Sequence, residues 1–562
     1  MRWVRVLAVA AVMTVAFGAI AAPAGAVNPS LIQGSGSSWA FPALTIWISG
    51  IKSAGVQVVY NPDGDAAGRQ DFANRVSDFS VTSDGYLGFT KTNGTSDTSN
   101  GRQYAYLPIA AGGTSFAYHI TVDGTEDRTL RLSGETLAKI FTGQITNWDN
   151  ATITKNNDGV ALPSLPIIPV VQSQGSGATE QLTNYFAREY PSIWQPYSGL
   201  SGPTEYYPDN GVTSMQPVDG SSGAINYVTS SEGNGSIAYV EYSYALDVGF
   251  PVVKVLNSAG YYTLPTKYNV AVSLEAAVIN MNQSTPDYLL QTLDNVFTDT
   301  DPRTYPLSSY VYMIEPTGTY PNPETKITTG KRQSLADFEY FAICQGQTPI
   351  SNIGYSPLPV NLVEAGFGQL NKLKSAAPAI SITKETIYNC NNPTFVPGQP
   401  NENYLAQIAP MPPTCDRTGS GPCGATVTPN GLGSTPNKSG TYGSSSSGSS
   451  SSGGSGSGSS SGGAAADGSA AQNGGGGPGS STAGQSKLSA SALAAAKAAA
   501  NKGAGGIAGV NEANSSLVSA SLPKGGGPLF FGLLAAGLLL LTFGLPVAIG
   551  YRRSRRKREV ET

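Results

Sequence analysis

Ser176, Gly177, Ala178 and Thr179 stand between an apolar run ending at Val171 and a helical pattern carrying Leu182, Tyr185 and Phe186. Strand, glycine turn (Gly175 and Gly177) and helix in that order turn unpaired N–H groups and the positive end of a helix outward, a cradle for an anion. A capped helix with no ligand carries the same signature. The pattern recurs twice upstream. Gly34-Ser-Gly-Ser-Ser-Trp39 follows a short strand at Leu31 and precedes a helix with Leu44, Trp47, Ile48 and Ile51, and Gly64 to Gly68 lie between a second strand and a helix. Three helix starts that converge would enclose one small polar ligand.

Composition narrows what that ligand meets. The chain of 562 residues holds 68 glycines and 38 prolines, long enough for a large two-lobed core, and its net charge of −4 gives no broad basic surface for nucleic acid. His119, on an apolar strand, is the single histidine, so neither a histidine metal site nor a relay can be built, and it reads as structural. Asp65 with Asp84 is the one carboxylate pair to weigh for catalysis. No substrate groove is recognisable beside it, so no enzyme is expected and no cofactor is implied.

Both ends carry targeting signals. Residues 1–26 combine Arg2 and Arg5 with an apolar run and Ala24-Gly-Ala26, the pattern of a cleaved signal peptide. Residues 425–527 form a Gly/Ser/Ala-rich linker that cannot bury enough apolar surface to fold, and 425–521 alone span about 55 Å as a flexible chain. Residues 528–551 are apolar over a spanning length, and 552–562 form a basic tail, which predicts a single-pass anchor with the body outside. Leu522-Pro-Lys-Gly-Gly526 resembles a sortase sorting signal, with Gly525 where threonine belongs, so a permanent anchor is the expectation. All four cysteines lie in the exported part, where disulfides form. Three connectivities are open, and proximity favours Cys344–Cys390 with Cys415–Cys423 over the alternatives and over a zinc site.

Along the chain, a helix is expected at residues 136–141, buried strands at 223–228 and 236–240, and a helix at 274–279. A strand at 310–314 and helices at 335–343 and 362–373 follow.

Seven motifs in order carry a resemblance. Gly34-Ser-Gly-Ser-Ser-Trp39, Asp78-Phe-Ser-Val-Thr-Ser-Asp84, Phe141-Thr-Gly-Gln-Ile-Thr-Asn-Trp148, Gly175-Ser-Gly177, Gly235-Ser-Ile-Ala-Tyr-Val240, Tyr305-Pro-Leu-Ser-Ser-Tyr310 and Gly354-Tyr-Ser-Pro-Leu-Pro359 resemble the PstS-like phosphate-binding proteins of ABC importers. The resemblance implies an α/β, two-lobed, type II periplasmic-binding fold. Its first lobe is residues 27–112 with 265–424 and its second 113–264, joined by a hinge. It also implies a ligand set of Ser37, Ser38, Trp39, Asp84, Gly175, Ser176 and Gly177.

The departures from the family pattern set the ligand's charge. Asp65 stands where a serine belongs, Gln172 where an arginine belongs, Gln174 where an aspartate belongs and Ala178 where a threonine belongs, with Arg69 able to swing in as the missing cation. A charge pair at about 4 Å is worth roughly 4 kcal/mol at an effective dielectric of 20, against about 8 kcal/mol for a whole micromolar complex. Phosphate affinity would be largely erased unless Asp65 is protonated or turned away. The expected function is a surface solute receptor that captures phosphate or a related ligand and works with an ABC permease. The alternatives are a display, adhesion or sensing protein with a degenerate site, and a receptor of altered specificity for a neutral or cationic solute.

Overall fold

The computed structural model describes residues 27–423, apart from 89–95, 319–323, 325, 383–386 and 388–389. The expected signal peptide, the linker, the membrane helix and the basic tail lie outside the described residues. Among the described residues no helix is long and apolar enough to cross a membrane.

Eight strands build the central sheet: β1 (Ile32–Gly36), β2 (Val58–Asn61), β3 (Phe79–Thr82), β4 (Tyr104–Tyr118), β5 (Ile168–Gln172), β6 (Gln216–Val218), β7 (Ser236–Glu241) and β8 (Ser308–Pro316). Their order is β2-β1-β3-β8-β4-β7-β5-β6. The long β4 belongs to two half-sheets. Its first part, Tyr104 to Gly113, pairs antiparallel with β8, and its last part, Thr114 to Tyr118, pairs antiparallel with β7. Parallel pairs β1–β2 and β1–β3 extend the first half, and β7–β5 and β5–β6 the second. Strands covered on both faces need continuous apolar runs, and every residue of β7 is buried. Each half-sheet with its helices is a lobe, so β4 is a crossing about which the lobes can bend.

Helices α1 (Phe41–Ile51), α2 (Asp65–Ala73), α3 (Gly177–Glu189), α4 (Gly220–Val228), α5 (Thr329–Ile343) and α6 (Val360–Ala376) flank the sheet. In α1, Pro42 fits the first turn and Ala43, Leu44, Trp47 and Ile51 form the buried stripe, with the Trp47 indole N–H donating to the Gly346 carbonyl at 3.0 Å. The helices expected at 136–141, 335–343 and 362–373 all form and run further than their apolar cores. His119 hydrogen-bonds the Val228 carbonyl at 2.9 Å and meets the Phe250 ring edge-on, a packing role.

Two local expectations fail. Residues 223–228 lie in helix α4, where Ser221, Ala224, Ile225 and Val228 are buried and Asn226 is exposed. That spacing is helical, and six residues were too few to separate it from a strand. Residues 274–279 are not a helix: Leu274–Ala276 is one 3₁₀ turn, and the β-branched pair Val278–Ile279 opens a two-stranded ribbon with Gln291–Thr292.

Both favoured disulfides are formed, Cys344–Cys390 with Cα atoms 4.6 Å apart and Cys415–Cys423 at 5.2 Å. After α6 the chain crosses the molecule. Leu405, Ala406 and Ala409 pack on Ala271 and Val272, and the disulfide loop that follows settles on the short strands Arg131–Leu132 and Lys254–Leu256. There Lys254 Nζ donates to both Asp416 carboxylate oxygens at 2.9 and 2.7 Å, and Arg131 Nη1 donates to the carbonyls of Cys415 and Gly421. Both members of the Lys254–Asp416 pair are buried, so removing one strands the other without solvent. Asp416→Ala should therefore lower the unfolding free energy of the full-length chain by roughly 3–5 kcal/mol in a urea titration. The double change Lys254→Met with Asp416→Leu should restore most of it. An unaltered midpoint in Asp416→Ala would show that the loop is not docked.

Candidate ligand-binding site between the two lobes

The turn after β2 brings Asp65 to the start of α2. Gly64 before it adopts φ +100°, and a Cβ there would stand 2.7 Å from the Gly175 carbonyl of the other lobe. With that space left open, the Ala66 N–H donates across the cleft to the Gly175 carbonyl at 3.2 Å. Gly68, expected in the turn, lies one turn inside α2, where its missing Cβ lets the helix sit against Gly36.

Asp65 is buried and points into the seam. Its Oδ1 accepts the Ser83 N–H at 2.6 Å and lies against Gly177 at the start of α3. Here Gly177 is required, since a Cβ would lie 2.4 Å from Asp65 Oδ1 and 2.3 Å from Ser83 Oγ. Burial raises the Asp65 carboxyl above its ordinary value, against the Gly177 and Ser83 N–H groups and Arg69, which favour the charged form.

Arg69, one turn along α2, is fully buried and committed. Its Nε and Nη2 grip Asp97 at 2.7–3.2 Å, its Nη2 meets both Glu205 oxygens at 2.7 Å, and its Nη1 donates to Thr82 Oγ1 at 3.0 Å. Asp97 belongs to the first lobe and Glu205 to the second, so the guanidinium bridges the cleft. Burial alone would lower the Arg69 pKa, but Glu205 and Asp97 overcome it and hold the side chain charged. The Glu205 backbone carbonyl also accepts the N–H of Ser176, and Ser176 Oγ caps α3 by accepting the Ala178 N–H at 3.1 Å.

Asp84 closes the other side of the seam. Its Oδ1 accepts from Gln181 Nε2 of α3 at 3.0 Å, while its Oδ2 is shut off from solvent without a partner. Burial first, then the nearby Glu205 and Asp65, lifts its carboxyl to about 8. At neutral pH Asp84 is thus mostly protonated and able to donate.

The remaining expected residues divide. Ser38 Oγ accepts the Ser221 N–H at 3.2 Å across the cleft, and Gln174, with its amide oriented to satisfy both ends, bonds Ser38, Asp219 and the Asp63 carbonyl. Gln172 donates to Ser221 Oγ at 3.3 Å and leaves Oε1 without a partner; Ser37 Oγ is likewise buried and unpartnered. The Trp39 ring packs at the lobe crossing. Its indole N–H donates to Thr114 Oγ1 at 3.2 Å, at the point where β4 passes between lobes, and its edge contact with Tyr355 fixes it there. Glu205, Asp97, Ser83, Gln181 and Ser221 were not singled out from sequence. The only signal for the two acids was indirect: an arginine on the inner face of α2 needs counter-charges, and its spacing cannot say which. No group of three or more metal-ligating side chains forms among the described residues.

A carboxyl whose folded pKa is raised binds its proton more tightly when folded, so its stabilising contribution is complete below about pH 4 and is lost as pH rises through about 8. Glu241 and Glu315, each lifted by burial to about 8, act in the same sense. Stability should therefore fall from pH 5 to pH 8. Asp84→Asn should make that slope shallower by up to about 1.4 kcal/mol per pH unit, measured by urea unfolding at several pH values. An unchanged slope would mean Asp84 is ionised in the closed seam.

A family model described as a PBP superfamily domain (PBP_like_2) matches residues 22–345. The phosphate-binding protein PstS of Methanocaldococcus jannaschii is 26% identical over 362 residues, covering 63% of this chain and 89% of its own. PstS of Xylella fastidiosa is 29% identical over 336 residues, covering 59% and 83%. Among solved structures, PfluDING, a high-affinity periplasmic phosphate-binding protein bound with phosphate, aligns over 63% of this chain and 99% of its own at 16% identity and a TM-score of 0.47. The family-model match spans more than half of the sequence, and the chain is a PstS-like member of the PBP superfamily.

Proposed function

We propose that this chain is a solute-binding receptor, not an enzyme, that captures phosphate or a related small oxyanion between its lobes and passes it to an ABC permease. The observation that carries this reading is the meeting of two helix starts from opposite lobes, α2 and α3, at one buried polar cluster containing Asp65, Ser83, Asp84 and Gly177. Unpartnered polar atoms in the same seam, Asp84 Oδ2, Gln172 Oε1 and Ser37 Oγ, supply hydrogen-bonding capacity that a ligand can satisfy. The similarity to PstS proteins supports phosphate as the first solute to test. The sequence supports placing the receptor outside the cell, exported by the signal at residues 1–26 and held by the apolar stretch at 528–551.

A second reading has its own support. Arg69 is saturated by two carboxylates and Gln172 carries no charge, so among the described residues the site offers no unpaired cation of its own, as expected of a degenerate site on a surface display or sensing protein. Calorimetric titration of the full-length chain with phosphate, sulfate and a neutral sugar separates the two. Saturable phosphate heat, with a Kd weaker than about 1 μM because no free guanidinium contributes, is the result expected of the receptor. Silence toward every solute would favour the second reading.

A further inference from the structure

We propose that Asp65 is a tethered stand-in for the oxyanion: its carboxyl occupies the N–H groups that a captured anion would use and holds the lobes shut without solute. The inference rests on the receptor reading and adds what controls access to that site.

The geometry is specific. The Gly177 N–H is the outward-facing donor at the start of α3, in the second lobe, and the Ser83 N–H is a donor of the first lobe beyond β3. One side chain reaches both: Asp65 Oδ1 accepts the Ser83 N–H at 2.6 Å and stands against the start of α3, where a Cβ on Gly177 would come within 2.4 Å of it. A free oxyanion binding at the start of α3 would need the same Gly177 donor. Around this contact the seam is closed by Arg69 to Glu205, Gln181 to Asp84, Ala66 to Gly175 and Ser221 to Ser38, all from one lobe to the other. Closure that a solute normally drives is thus driven from within the chain, and a ligand enters only by displacing the Asp65 carboxyl. A short hydroxyl side chain at this position could not reach across as a carboxyl does. It would leave the Gly177 donor open.

The test uses the full-length protein, Asp65→Ser, and Asp65→Asn as a variant of the same shape without the charge. All four cysteines are in disulfides, so spin labels can be placed at Val59→Cys and Pro217→Cys, exposed positions on the outermost strands β2 and β6. Without solute, the wild type should give one closed-state distance, and Asp65→Ser a broadened and shifted distribution that returns to the closed distance on adding inorganic phosphate. Phosphate should bind Asp65→Ser at least about tenfold more tightly than wild type, with Asp65→Asn between them. Identical distance distributions in the solute-free wild type and Asp65→Ser overturn the proposal, as does phosphate binding to the wild type as tightly as to Asp65→Ser. If no variant binds any oxyanion, the receptor reading falls, while the distances still decide whether Asp65 closes the lobes.

Discussion

The seam depends on one buried guanidinium. Arg69 reaches from α2 between Asp97 of its own lobe and Glu205 of the other, so the first lobe's cation and the second lobe's anion are desolvated together. A buried ion pair offsets its desolvation only with good geometry and full hydrogen bonding, and opening the lobes would separate Arg69 from Glu205. This makes the closed arrangement close to all-or-none. Once Glu205 is held, its backbone carbonyl fixes the Ser176 N–H, which sets the start of α3 and aims Gly177 at Asp65. Lobe closure and the orientation of the α3 donors are therefore one event.

That coupling explains the altered positions as a set. Gln172 and Asp65 are the positions where the sequence is expected to depart from the phosphate-binding pattern, one removing positive charge and the other adding negative charge. Taken singly each weakens an anion site. In the folded chain they are complementary: Gln172 is neutral and turned to Ser221, and the Asp65 carboxyl, bound to the Ser83 N–H, stands against Gly177 at the start of α3. Asp84 completes the set by holding its proton, so that a third carboxylate does not charge the same cluster.

Much of this was readable in the residues. Glycine turns between apolar strands and helical stripes located α1, α2 and α3, and their convergence followed from the resemblance. Cysteine spacing favoured both disulfides that form. What failed did so for local reasons. Residues 223–228 were too short and too rich in small residues to reveal their period. Glu205 and Asp97 were invisible because a counter-ion is chosen by tertiary position, not by spacing. The Asp65 side chain showed its type in the sequence but not its direction. Inward orientation, onto the Ser83 N–H and against Gly177, converts an apparent defect into a contact between lobes.

The most direct check is a crystal structure of the ligand-free protein at a resolution that resolves carboxylate oxygens. This account predicts closed lobes, density for the Asp65 carboxyl between Ser83 N and Gly177 N, and Arg69 shared by Asp97 and Glu205. Open lobes with Asp65 in solvent, or a free anion on Gly177 with Asp65 turned away, would contradict it.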